Sequence, residues 1–371
     1  MKFSTPGGVY NATPARVVFA RGAIDGIAEE VDRLGARRAL IVTTPGRAAL
    51  GDRVASLLGD RCAGLWPEAV SQVPIELARV GRQAARDAGA DCIVSAGGGA
   101  AIGLGKGISL ELGLPIVAIP TTYSGSEVTG FCGITIDGVK RMHTSLNMLA
   151  STVVYDPELT LGLPADISAA SAMNALAHCV DAIYVPTVDP VTALAAVEGA
   201  RVIARAAPRV IARPGDIEAR SELLYGAYLG GVALTGGFAL QHGLAHVLGG
   251  SFNIAHGLSH TLVLPYVAHY NSAYAPEPLG RLGAAIGAAG SGAAGPGAAG
   301  PDETGIGAAI HDLATALDIR MGLTGTGLDR AALHDAARIT IETDDGQNPG
   351  PVTEDVVRRI LEAAWEGERP V

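Results

Sequence analysis

Histidines set at helical spacing are the residues of this chain best placed to do chemistry. His242, His246 and His256 lie in QHGLAHVLGGSFNIAHG, and His178 lies upstream in SAMNALAHCVDAIY. His242 and His246 are four residues apart, so on a helix both rings leave the same face. Asn174 and His178 repeat that spacing on what should be another helix. An Asp at position 174 would complete an oxygen-plus-imidazole set suited to Fe(II) or Zn(II). An Asn amide is neutral and a weak donor to such ions. The sequence thus describes a metal-type pocket that lacks one ligand.

Two kinds of element must bring these residues together. Over the first ~160 residues short β-rich runs alternate with amphipathic stretches, the pattern of a parallel sheet flanked by helices. Residues 39–43 (ALIVT) follow a helical stretch over 24–34, residues 92–96 (CIVSA) follow 75–88, and residues 116–119 (IVAI) follow 101–112. All three runs are apolar on both faces, as strands covered on both sides should be. Residues 134–136 and 153–155 read as further strands. From residue 161 to 371 helical periodicity takes over, with helices expected over 167–184, 190–206, 217–234 and 239–248. Gly249, Gly250 and Ser251 are expected to interrupt the helix carrying His242 and His246, so that His256 returns from a separate segment. Residues 287–301 (GAAGSGAAGPGAAGP) read as a linker without chemistry.

Bulk properties exclude several functions. A chain of 371 residues with 48% apolar residues can bury two cores. The formal charge of −10, from 27 basic against 37 acidic residues, speaks against nucleic acid or an anionic membrane as partner. No apolar run reaches the 18 residues of a membrane span, and the N-terminus does not read as a signal peptide. Cys62, Cys92, Cys132 and Cys179 are scattered without a CxxC pair, as expected of a reduced cytoplasmic protein.

Two loops are candidates for a cofactor. Gly97, Gly98 and Gly99 end the CIVSA strand and precede a helix containing Lys106, so backbone and helix N-terminus could approach a pyrophosphate; a tight turn without ligand is the plainer alternative. The next strand ends in Thr121, Thr122, Tyr123 and Ser124, which places hydroxyls across the same crevice. After residues 39–43, where an acid often holds a ribose, there is no carboxylate and only Arg47, so NADH and NADPH both fit.

Taken in order, GGGAAIGLGK, PTTYSGSEVT, NALAHCVDAIY and QHGLAHVLGGSFNIAHG resemble the iron-containing alcohol dehydrogenase superfamily, and within it the maleylacetate reductases. The resemblance implies the dehydroquinate synthase-like fold: an α/β, Rossmann-like dinucleotide-binding domain over residues 1–160 and an all-helical domain over 161–371, with the active site between them. It implies hydride transfer from NADH or NADPH to the conjugated double bond of maleylacetate, giving 3-oxoadipate in aromatic-compound breakdown, by a homodimer acting on a small carboxylated enone. It assigns Gly97, Gly98, Gly99, Thr121, Thr122, Ser124 and Lys140 to the cofactor. The family's metal ligands fall on Asn174, His178, His242 and His256, with His246 beside them.

Asn174 lowers the expected affinity for Fe or Zn. A conjugated keto acid already carries an electron sink, so donors on its enolate oxygen can replace a Lewis acid. On that reading His178, His242, His246 and His256 supply donors. His242 or His246 is the expected proton donor, with Tyr123 a lesser candidate. The chain departs from the family at Ala100, at Gly243 where a Lys is usual, and in the 140s segment. These departures keep three alternatives open: a metal-dependent alcohol dehydrogenase, a related reductase of a biosynthetic pathway acting on another carbonyl or enone, and a non-redox derivative of the fold. His143, His269, His311 and His334 match no motif, and His260 is intermediate.

Overall fold

A computed structural model describes residues 16–290, 305–344 and 346–371. Its first half is a six-stranded parallel sheet: β1 (Arg16–Phe19), β2 (Ala39–Val42), β3 (Cys62–Trp66), β4 (Cys92–Gly97) and β5 (Ile116–Pro120), with a last strand at Thr152–Tyr155. An antiparallel hairpin of β6 (Phe131–Ile136) and β7 (Val139–Thr144) precedes that last strand, β8. The sheet order is β1-β8-β5-β4-β2-β3. Helices α1 (Ile27–Arg33) and α2 (Ala48–Leu58) cover one face, where Ile41, Val94, Val117 and Ile119 are buried. Helices α3 (Ile75–Asp87) and α4 (Gly99–Leu112) cover the other, over Leu40, Val42, Ile93 and Ala118. Alternate residues of one strand thus serve two cores, which is why these runs are apolar throughout.

The chain winds outward in opposite directions from β2 and β4, so the crevice at their carboxyl ends is the switch point where open sheets bind ligands. The glycine loop after β4 and the hydroxyl loop after β5 both open there.

Residues 134–136, expected as one more short strand, are the end of β6, which pairs with β7 and not with the parallel sheet. Asp137 and Gly138, at φ 51° and 76°, form the two-residue turn between them.

The second half is helical: α5 (Ala165–Ala182), α6 (Pro190–Ala212), α7 (Ile217–Leu234), α8 (Leu240–Ser251), α9 (His256–Ser272), α10 (Pro276–Gly290), α11 (Ile306–Ala316), α12 (Ala332–Thr343) and α13 (Glu354–Glu366). No described helix is long and apolar enough to cross a membrane. Helix α6 starts on a capping box of Asp189 and Thr192 and runs past the expected end through Pro208. Helix α10 continues to Gly290, and the rest of the segment expected as a linker lies outside the described residues. One core joins the α3–α4 face of the sheet to α5, α6 and α7, while α8, α9, α12 and α13 build a second.

The loop after β5 meets α7 backbone to backbone. A Cβ at Gly231 would lie 2.3 Å from the Gly125 carbonyl oxygen, and Gly125 itself has φ 71°. Neither position admits a side chain.

Gly249, Gly250 and Ser251 do not interrupt α8; they are its last turn. The break comes two residues later, where Asn253 takes a left-handed φ of 56°. The expected consequence still holds, because His256 enters from a separate helix.

Candidate active site

Three helices each present an i,i+4 pair to one place: Asn174 and His178 from α5, His242 and His246 from α8, His256 and His260 from α9. The rings of His178 and His242 stack at 5.3 Å, those of His246 and His256 at 5.8 Å. His260 closes the group, 4.7 Å from the His242 ring and 4.6 Å from that of His256. His260 is fully buried and central; the sequence signal that could have found it was the third i,i+4 pair, HGLSH. A cavity of about 610 Å³ runs from Gly99, Thr122 and Ser124 to Asn174, His178, His242, His246 and His256. None of His143, His269, His311 and His334 lines it.

Asp181 is the functional residue that sequence reasoning missed. It lies one turn beyond His178 on α5 and is fully buried. Its Oδ2 is 2.9 Å from Nδ1 of His242 and also accepts from the backbone N–H groups of Ala239, at 2.7 Å, and His242, at 3.2 Å. The Tyr184 hydroxyl donates to Oδ1. The carboxylate thus fixes the start of α8 and the tautomer of His242, leaving Nε2 as the nitrogen available for chemistry. Nε2 of His242, Nδ1 of His178, Oδ1 of Asn174 and Nε2 of His260 are buried without a partner among the described residues.

At the other end Gly97 adopts φ 151°, and a Cβ at Gly98 would sit 2.9 Å from Cγ2 of Thr122. Gly99 opens α4 with nothing within 4 Å of its Cβ position, and no side chain caps that helix. Its first N–H groups are therefore free for an anion. Thr122 and Ser124 line the cavity, and Oγ1 of Thr122 has no partner among the described residues.

Thr121 and Tyr123 face elsewhere. Thr121 is buried, its N–H bonded to the Gly97 carbonyl. Tyr123 is fully buried and its hydroxyl accepts from Arg220 at 3.0 Å, with burial pushing its pKa up. Geometry thus removes Tyr123 as proton donor. Lys106 is a strut: its ammonium donates to the Ser126 and Phe131 carbonyls and to Thr129 Oγ1, tying the second loop to the hairpin. Burial lowers its pKa to about 8. Lys140, expected at the cofactor, lies instead at the histidine end of the cavity, its stem laid over Gly133.

Burial holds His178, His246 and His260 well below the usual imidazole range, and the protein packed around the cluster lowers His256 as well, although that residue is exposed overall. Lys140 pushes His246 and His256 further down, and the histidines lower one another. Near neutral pH this part of the cluster is uncharged.

Residues 14–157 match the iron-containing alcohol dehydrogenase family, and residues 168–365 match the Fe-containing alcohol dehydrogenase family, C-terminal part. The chain belongs to this family. It is an oxidoreductase by that membership and resembles the maleylacetate reductases within it. It is 41% identical to the maleylacetate reductase of Burkholderia cepacia, over 98% of this chain and 99% of the relative. With that of Sphingobium indicum it shares 37%, at the same coverage. The crystal structure of maleylacetate reductase from Agrobacterium tumefaciens superposes with a TM-score of 0.88 at 39% identity, covering 98% of this chain and 99% of that one.

At the family position this chain offers the amide of Asn174, with no carboxylate, beside the rings of His178, His242 and His256. The Asn174 NH₂ donates to the Ser124 carbonyl at 3.3 Å, which leaves only the neutral Oδ1 facing the histidines. This donor set does not fit Fe(II) at that position.

Proposed function

We propose that this chain is an NADH- or NADPH-dependent reductase of maleylacetate, forming 3-oxoadipate. The observation that carries the reading is Asn174: it faces the catalytic end of the cavity where a carbonyl-reducing relative would need a charged ligand, in a chain about two-fifths identical to maleylacetate reductases. A bound nicotinamide supplies a hydride to the alkene carbon β to the keto group. The uncapped N-terminus of α4, with Thr122 and Ser124, would hold the cofactor's phosphates.

As the hydride arrives, charge develops on the keto oxygen and a proton must reach the carbon α to it. With Asp181 accepting from Nδ1–H, Nε2 of His242 donates only when the ring carries both protons, and the buried carboxylate stabilises that imidazolium. His242 is thus the proton donor, and His178 stacks beside it as a further donor to the enolate oxygen. Lys140 supplies the cation for a substrate carboxylate that Gly243 does not, since the space at Gly243 is open and Lys140 lies beside His246 and His256. The four unpaired cysteines suit a reducing compartment, the cytoplasm. The working unit is taken as a homodimer, which light scattering checks.

The test is NADH oxidation with maleylacetate, using protein stripped by chelator. Turnover by metal-free protein supports the reading. No turnover, with or without added Fe(II) or Zn(II), removes maleylacetate as substrate.

A further inference from the structure

The disagreement between this donor set and the family metal raises the question of where a cation would be held. Among the described residues one group of three potential ligands has its ligand atoms all within 4.8 Å of one another: His246, His256 and His260. Only His256 belongs to the family's set. A tetrahedral zinc with Zn–N bonds of about 2.0–2.1 Å holds its nitrogens roughly 3.3 Å apart, so small ring rotations close the group.

Three features suit these rings to an ion. His260 is fully buried, its Nδ1 lies 3.2 Å from the Gln241 amide, and its Nε2 has no partner. A ring oriented by a second residue with the other nitrogen free is how metal-ligating imidazoles are commonly held. His256 is exposed and His246 half-buried, so the ligands reach from the protein interior to the cavity wall. The His246 and His256 rings stack at 5.8 Å and the His256 and His260 rings meet edge-on at 4.6 Å, which already gathers the three imidazoles around one place.

We propose that this chain binds one divalent cation of the zinc, copper or nickel type through His246, His256 and His260, with the fourth position open to the cavity. Three imidazoles without a carboxylate favour these ions over magnesium or calcium. The ligand set leaves out His242 and Asp181, although the His260 ring lies 4.7 Å from that of His242, and it stands whatever the substrate of the enzyme is. Lys140 opposes it, because its positive charge acts on two of the three rings.

The experiment uses untagged, full-length, metal-free protein titrated with Co(II) by visible absorption and with Zn(II) by calorimetry. The expected result is one ion per chain with the d–d bands of a four-coordinate site. His246→Gln, at a half-buried position, should weaken binding by about 100-fold or more, since losing even an outer partner of a ligand costs 10–100-fold. His178→Gln should leave the affinity within about threefold, and Lys140→Met should tighten it. Circular dichroism of each variant confirms that the fold is kept. Loss of binding in His178→Gln with retention in His246→Gln would place the ion at the family position and overturn the proposal. So would the absence of saturable binding at one ion per chain.

Discussion

Replacing Asp181 with Asn tests how the proton is delivered. The side chain keeps its shape but loses its charge and one acceptor. Asp181 now accepts from two backbone N–H groups, the His242 ring and the Tyr184 hydroxyl. An amide keeps one acceptor oxygen and turns an NH₂ group toward either Tyr184 or the α8 N–H groups. An unsatisfied buried group of this kind costs roughly 1–3 kcal/mol, measurable by urea unfolding. The catalytic effect is separate. A hydrogen bond to a charged group contributes about 1.5–3 kcal/mol, and its loss from the imidazolium converts to about 10- to 150-fold in kcat. KM should change little, because Asp181 is fully buried and does not line the cavity. Proton transfer should then limit the rate more strongly, so the solvent isotope effect on kcat should rise. Tyr184→Phe, which removes a donor from the other carboxylate oxygen, should cost less than about threefold. A folded Asp181→Asn enzyme with kcat within threefold of the original and an unchanged isotope effect would refute the argument.

Three further outcomes are expected. Lys140→Met should raise KM for a dicarboxylate substrate by about 10- to 150-fold, the value of a charge-assisted hydrogen bond, with kcat nearly kept; an unchanged KM would show that the substrate carboxylates bind elsewhere. Arg47→Ala, at the carboxyl end of β2, should raise KM for NADPH more than for NADH, and equal effects on both would remove Arg47 from contact with a 2′-phosphate. Lys106 has a folded pKa of about 8, below its ordinary value, so between there and about pH 10.4 the unfolded chain holds a proton that the folded chain has released. Stability relative to Lys106→Met should therefore rise with pH across that window, by up to roughly 3 kcal/mol; a flat difference curve from urea unfolding at several pH values would contradict this.

The residues that sequence made legible are those whose pattern is local. Apolar runs gave β2, β4, β5 and β8, and four-residue spacing placed Asn174 with His178 and His242 with His246 on shared faces. The Asp137–Gly138 hairpin was also locally encoded, in the dipeptide that suits a type I′ turn, and reading 134–136 as one more short strand missed its partner. β3, CAGLW, lacks the β-branched density of its neighbours and becomes a strand by pairing with β2. Other facts are tertiary. Tyr123 sits in a loop full of hydroxyls, and only Arg220, 97 residues on, turns it into the core. Asp181 is one acid in a helix until α8 brings it three donors. Lys140 joins the histidines because the hairpin packs against α8, a contact that no spacing announces.

The contact between Gly125 and Gly231 has a mechanical consequence. Two backbones that touch without side chains between them have no compressible layer in which to slide. The loop after β5 is therefore pinned to α7 on one side, while the Thr121 N–H on the Gly97 carbonyl and Lys106 of α4 on the Ser126 carbonyl pin it to the sheet half on the other. A side chain at either glycine would push the loop and the helix apart, and with them the two halves of the cleft wall. Thr122 and Ser124 thus line the cavity from a loop that is held on both sides.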